Sequence, residues 1–464
     1  MRVLITNNTL AARAGSELYV RDLALALLRR GHQPVAYSLV LGEVAEEMRR
    51  ATVPVVSDLS AVAEPPDVIH GQHHLETMTA LLHFPGVPAV SFCHGWLPWE
   101  ERPARGPRVL RWVAVDDTCR DRLVAEEGID PARVEVVRTF VDLARFRPRE
   151  GPLPDRPSRA LLFSNYAGEG THLPAVREAC ATLGITLDVM GLASGRPVAR
   201  PEDLLPAYDL VFAKGRAAFE ALAVGAAVVV CDAQGLGGLV SPARFEELWR
   251  LNFGVRALSR PLDPRALAGE VAAYDPAEAR EVTRRIRERA DLERAADRLV
   301  SLYEEVRAEG AARAGVDPRE EGRAAARYLA FLSPVVKAAH PAARERDLLR
   351  RETERLGAEL GRLQEETDAL RAEGEGLRGE WDALRGERAL LLTERGALRQ
   401  DAEALGRDRD AARAEAEASR AEAAAARAES AGLQGTLTWR ARRALLAVPF
   451  LVRLYRAARR LPPP

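Results

Sequence analysis

The chain has 464 residues, 47% hydrophobic and 29% charged, with a formal net charge of −1. That length suffices for two or three domains with sizeable cores, and the balanced charge argues against a nucleic-acid binder or an acidic solvating chain. Cys93, Cys119, Cys180 and Cys231 are widely spaced with no Cys-x-x-Cys pair, which points to a reduced compartment and away from a disulfide or zinc framework.

MRVLITNN reads as a first strand and lacks the basic flank and long apolar run of a signal peptide. No apolar run of about 18 residues marks a membrane span. Strands are expected at RVLIT (2–6), PVAYS (34–38), VPVVS (53–57), DVIHG (67–71), PAVSF (88–92) and WVAVD (112–116), with helices between them such as 16–30. RPREGPLPDRPSR (147–159) is rich in Pro and charge and reads as a linker. The pattern restarts with ALLFS (160–164), ITLDVM (185–190), DLVFA (209–213) and AAVVVCD (226–232). Continuous apolar strands separated by helices imply parallel sheets covered on both faces. Two such units predict two Rossmann-like α/β domains with a cleft between them, and ligands bind such sheets at the carboxyl ends of strands.

Beyond about 340, leucine recurs every seven residues from Leu349 to Leu405, a heptad signal for a long α-helical coiled coil. The g positions are acidic (Glu366, Glu373, Glu380) and the following e positions basic (Arg371, Arg378, Arg385), which favours a parallel homodimer. The a positions are poor, so a solvated single helix held by i,i+4 pairs is the competing reading. An Ala/Glu/Arg stretch follows. The tail from Thr436 has seven arginines, no acid, and Trp439, Phe450 and Tyr455 among its apolar residues. It reads as a basic amphipathic helix for an anionic membrane surface, or as a helix docking on protein.

The chemistry concentrates in AKGRAAFEALAVGAAVVVCDAQGLGG (213–238). Lys214 is one of only two lysines in the chain. Lys214 and Arg216 stand at the start of a helix expected near Gly215, where cations oppose the helix dipole unless an anion lies between them. Glu220 suits a ribose diol. The expected loop Gly235-Leu236-Gly237-Gly238 brings backbone N–H groups to a second phosphate. The competing reading pairs Glu220 with Arg216 at i,i+4 and leaves the glycines as turn residues.

In order and spacing, several segments resemble GT-B glycosyltransferases, most closely the retaining family 4. Ala14-Gly15-Ser16-Glu17 resembles the first glycine loop, FCHG (92–95) the strand-end histidine, residues 113–148 the crossing between domains, and EALAVGAAVVV (220–230) the donor helix and strand. The resemblance implies 1–146 as an acceptor-side domain, 147–159 as linker, 160–340 as the nucleotide-sugar domain with closing helices, 341–433 as coiled coil and 434–464 as tail. It places His94 near the reacting sugar, Gly15 at the diphosphate or acceptor, and Glu220 on the ribose; loop satisfaction is the alternative for His94. Trp96 and Trp99 stack on an acceptor sugar or pack in the core. The family's first donor glutamate is Phe212 here, its Asn-Gly is Thr139-Phe140, and no cation follows Phe163 before Arg177. Lys214 and Arg216 are therefore expected to neutralise the diphosphate. His70, His73 and His74 cluster without a known metal-ligand spacing, and neither metal nor other cofactor is expected.

The resulting expectation is a cytoplasmic transferase, peripheral on the inner face of the membrane, moving a hexose from a nucleotide-sugar to a glycan or lipid-linked acceptor in surface polysaccharide synthesis. The rival is a GT-B scaffold that dimerises and recruits other transferases. A nucleotide-sugar epimerase suits the coiled coil and tail less well.

Overall fold

A computed structural model of the chain describes residues 1–313 and 315–373, together with 392, 393, 395 and 428. The first α/β unit runs β1 (Arg2–Thr6), α1 (Gly15–Arg29), β2 (Gln33–Tyr37), α2 (Glu43–Arg50), β3 (Val55–Val56), β4 (Val68–Gln72), α3 (His74–His83), β5 (Ala89–Cys93), β6 (Val109–Ala114), α4 (Asp117–Asp121) and β7 (Val134–Val136). Its seven strands are all parallel, in the order β3-β2-β1-β4-β5-β6-β7. Val3, Ile5, Val68, Val90 and Val113 are buried in its core, as continuous apolar strands require. VPVVS keeps only Val55–Val56 in the sheet, and the edge strand β7 was not expected.

The second α/β unit runs β8 (Arg159–Phe163), α5 (Leu173–Thr182), β9 (Thr186–Met190), α6 (Pro201–Leu204), β10 (Leu210–Ala213), α7 (Gly215–Val224), β11 (Ala227–Asp232) and β12 (Gly235–Leu239). The strand order is β12-β11-β10-β8-β9, with only β12 antiparallel. Then come α8 (Phe245–Arg250), α9 (Pro264–Ala272), α10 (Pro276–Arg289), α11 (Leu292–Ala312) and α12 (Pro318–Glu373). Asp263, Asp275 and Asp291 cap α9, α10 and α11 by accepting backbone N–H groups, the usual role of Asp at a helix start.

Helix α11 returns to the first sheet. Leu299, Leu302, Tyr303 and Val306 belong to its core, and the Tyr303 hydroxyl meets His70 Nδ1 at 2.6 Å.

Two compact units result, Met1–Ala326 with both sheets and Arg327 onward. In the second, the described part is the remainder of α12. Leu349, Leu356 and Leu363, with Leu360, are exposed along it in this single chain. Apart from the four isolated positions, the rest of the heptad, the Ala/Glu/Arg stretch and the basic tail lie outside the described residues. Among the described residues no helix is long and apolar enough to cross a membrane.

Candidate functional site

In an open parallel sheet, the loops leaving two neighbouring strands in opposite directions open a crevice at their carboxyl ends. The strand orders place one such point between β1 and β4 and another between β8 and β10.

At the first, Asn7 and Asn8 follow β1 and His73 follows β4. His73 has φ +59°, a left-handed backbone that a non-glycine residue adopts only when its surroundings hold it there. Its Nδ1 accepts the Asn8 N–H at 3.2 Å, which turns Nε2 toward Glu101 Oε1 at 3.4 Å. The other Glu101 oxygen accepts the His94 backbone N–H at 2.8 Å. Burial opposes the Glu101 charge, but His73 and that N–H outweigh it and hold the carboxyl below its usual range, while Glu101 in turn raises His73 against burial. His94 is thus fixed at the end of β5. Its ring lies edge-on to Tyr19, centroids 4.6 Å apart, and neither His94 Nε2 nor the buried Tyr19 hydroxyl has a hydrogen-bond partner. Burial holds His94 down at about 4, so at neutral pH it offers a hydrogen bond and not a charge. Gly15 is exposed at the head of α1, with nothing within 4 Å of an added Cβ.

Trp96 Nε1 donates to Glu126 at 2.8 Å, and Trp99 is 38% exposed with its ring edge-on to His74. Trp99 therefore keeps part of its ring exposed, whereas the Trp96 indole N–H is taken by Glu126 of the 122–126 segment. His70, His73 and His74 face Tyr303, Glu101 and Trp99 respectively, so each ring has a partner of its own.

At the second crevice, α7 begins at Gly215 as expected, with Lys214 at its N-cap. Gly215 has φ +55°, and its N–H is taken by the Phe253 carbonyl at 2.9 Å. Lys214 Nζ forms an ion pair with Asp232 at the end of β11. His172, at the N-cap of α5, is 1% exposed, and neither ring nitrogen has a partner. Burial lowers its pKa; Asp232 pulls it up and Lys214 down, so both charges act on the ring.

Arg216 is placed differently from its expected role. Its guanidinium pairs with Glu220 Oε1 at 2.7 Å and with Asp22 of α1. Asp22 also meets Arg21 at 2.6 Å and Arg145 at 3.5 Å, and Arg21 reaches Glu47 at 2.9 Å. Burial opposes the charge on Asp22, but Arg216, Arg21 and Arg145 hold it at about 2. Glu220 is 3% exposed, and burial raises its pKa despite Arg216. The i,i+4 pairing is therefore the one present, extended into a tie between the two sheets' helices, and it closes off the carboxylate expected for a ribose.

Gly235, Gly237 and Gly238 are a correction. They form strand β12, not a phosphate loop. A Cβ on Gly235 would lie 2.7 Å from the Arg260 carbonyl, one on Gly237 3.1 Å from the Ala257 carbonyl, and one on Gly238 against Arg244, Arg260 and Glu270. These glycines admit the 257–260 segment, and the Leu236 N–H is spent on Arg260 O at 2.8 Å.

Asp22, Glu101, His172 and Asp232 were not singled out from sequence. Asp22 and Arg216 stand 194 positions apart, so no local pattern joins them. His172, the sole histidine in the Gly-rich loop before α5, was the one visible signal.

The family model described as Glycosyltransferase Family 4 matches residues 13–145. That span holds Gly15, Asp22, His94 and Glu101, and the two parallel-dominated sheets are the two α/β units that the strand pattern implied. Similar solved structures include a glycosyltransferase from Rickettsia africae ESF-5, 14% identical with a TM-score of 0.48, covering 66% of this chain and 98% of that one. Anabaena HepE in complex with UDP and glucose is 14% identical with a TM-score of 0.46, covering 65% and 98%. Sucrose-phosphate synthase from Thermosynechococcus elongatus is 13% identical with a TM-score of 0.46, covering 66% and 99%. No curated protein matches the chain.

Proposed function

We propose that this chain, with its match to family 4 glycosyltransferases over residues 13–145, moves a hexose from a nucleotide-sugar to a glycan or lipid-linked acceptor. The observation that carries the reading is that family match over the first sheet, whose carboxyl edge presents His94 and Gly15. The second sheet supplies what a leaving diphosphate needs: Lys214 and the start of α7 at a strand-order crevice, which is electrostatic stabilisation of developing charge. Sugar transfer with retention allows attack on the face the phosphate leaves, so no protein nucleophile is required. Surface polysaccharide synthesis on the inner face of the membrane is the setting that suits a coiled coil followed by a basic tail.

A panel of nucleotide-sugars tests the reading on the full chain, by thermal shift and by donor hydrolysis. One donor is expected to raise the melting temperature as RT ln(1+[L]/Kd), about 2.7 kcal/mol at a hundredfold excess over Kd, and to be slowly hydrolysed. A specific observation favours the scaffold as the second reading: Phe212 is fully buried, and Glu220 is sealed by Arg216 and Asp22. Silence across the whole panel would select it.

Assembly is tested in one sedimentation series. The full chain is expected to run as a dimer and to co-sediment with anionic vesicles. Glu366, Glu373 and Glu380 changed to Arg turn g–e′ attractions into repulsions and should weaken the dimer. Deleting 436–464 should abolish vesicle binding, at about 1 kcal/mol per arginine near the surface. A monomeric wild type, or equal binding to neutral vesicles, would refute the respective part.

A further inference from the structure

We propose that His172 is a phosphate-binding residue, which shares the diphosphate of a nucleotide with Lys214 at the strand-order crevice of the second sheet. The proposal rests on the glycosyltransferase reading for the identity of the nucleotide, but its own ground is geometric.

Strands β8 and β10 are neighbours, and their chain continuations leave in opposite directions, β8 toward β9 and β10 toward β11. The helices that follow them, α5 and α7, each have 10 residues, and neither N-terminus has a side-chain cap. Each therefore presents backbone N–H groups and the positive end of its dipole. The N-cap residue of one is His172 and that of the other is Lys214. Helix starts usually carry Ser, Thr, Asp or Asn, whose oxygens accept those N–H groups. A histidine and a lysine at the two positions add donors where donors already abound.

The second observation is His172 itself. An imidazole that is 1% exposed with both nitrogens unpartnered gives up its hydration without a return in the ligand-free protein. Its neighbours are Asp232 and Lys214, already paired with each other. Beyond Asp232, which is already paired with Lys214, the crevice is richer in donors than in acceptors: the uncapped start of α5, Lys214 and at least one ring N–H all donate. A phosphate group, acceptor-only and charged, answers that set, whereas a sugar hydroxyl would leave most of the donors unmet. Gly168 and Gly170, in the loop leading to His172, have nothing within 4 Å of an added Cβ, so the approach over that loop is open. An arriving anion also favours the protonated ring, the form in which both nitrogens donate.

The test is isothermal titration of the full chain with inorganic pyrophosphate and with nucleoside diphosphates. Wild type is expected to bind pyrophosphate, and His172→Gln to bind it roughly ten- to a hundredfold more weakly, as loss of one charge-assisted contact requires. In ¹⁵N-histidine-labelled wild type, the His172 ring nitrogens should shift as pyrophosphate is added, a response that needs no folded variant and that a packing role would not give. Unchanged affinity in His172→Gln, an unmoved ring signal, or no pyrophosphate binding by wild type would each overturn the proposal. If nucleotide-sugars bind and His172→Gln makes no difference, this proposal fails and the transferase reading stands. If pyrophosphate binding depends on His172 while no nucleotide-sugar is recognised, the proposal stands and the transferase reading fails.

Discussion

Asp22→Ala is expected to destabilise the first compact unit by about 3–5 kcal/mol, the cost of removing one partner from a buried ion pair. Asp22 is 2% exposed and answers Arg21, Arg145 and Arg216 at once. Its loss leaves three guanidinium groups facing one another, with Glu220 and Glu47 as the remaining anions in the network. An exposed pair sets the scale. Glu293, half-exposed and bonded to Arg29 and Arg30, should cost no more than about 1 kcal/mol when changed to Ala. The comparison is read as the shift in denaturant midpoint, with the parent slope retained.

Asp22 also sets an acid limit. Its folded pKa is depressed to about 2 from an unfolded value near 4. A depressed carboxylate contributes stability that is complete above the unfolded value and is lost as pH falls through the folded one. Wild type should therefore lose this contribution between about pH 4 and about pH 2, and Asp22→Asn should lack that segment of the pH profile. A loss in Asp22→Ala no larger than in Glu293→Ala would show that the tie between α1 and α7 does not hold the sheets together.

The fold was legible because period and run length are local properties. RVLIT, PAVSF and AAVVVCD are strands wherever they are placed, and the helix between Ser16 and Arg30 needs only its own apolar stripe. β12 was misread because GLGGL carries the residues of a loop. Only the approach of the Leu258 and Arg260 carbonyls explains why a strand there is made of glycine. The site was half legible for the same reason. Helix α7 and its i,i+4 pair lie within one segment, so Gly215, Lys214 and the Arg216–Glu220 contact could be located. Asp22 and Asp232 decide what those cations do, and they come from α1 and from the far end of β11. Arg216 thereby leaves the list of cations available to an anion, whereas Lys214 answers a single carboxylate, Asp232.

Lys214→Ala is expected to cut turnover roughly ten- to a hundredfold, the worth of one charge-assisted contact of about 1.5–3 kcal/mol. The loss should fall on kcat more than on KM, because negative charge on the leaving diphosphate grows as the glycosidic bond breaks. Glu220→Ala should act differently: its carboxylate is taken by Arg216, so its loss should lower stability by unpairing a buried guanidinium before it changes KM. A lysine at a helix N-terminus opposes the dipole, which by itself predicts no stability loss on truncation. The partner Asp232 changes that: its carboxylate, 7% exposed, would be left without its cation, at about 1–3 kcal/mol. Reduced activity alone is therefore ambiguous, and Asp232→Asn separates the causes. That variant breaks the same pair but frees Lys214 from its competing anion. If Lys214 holds phosphate, Asp232→Asn should bind nucleoside diphosphate as tightly as wild type or more so, while Lys214→Ala binds it weakly. If the pair only braces the edge of β11, both variants should weaken binding alike. Unaltered nucleotide affinity and transfer in Lys214→Ala would remove Lys214 from the site altogether.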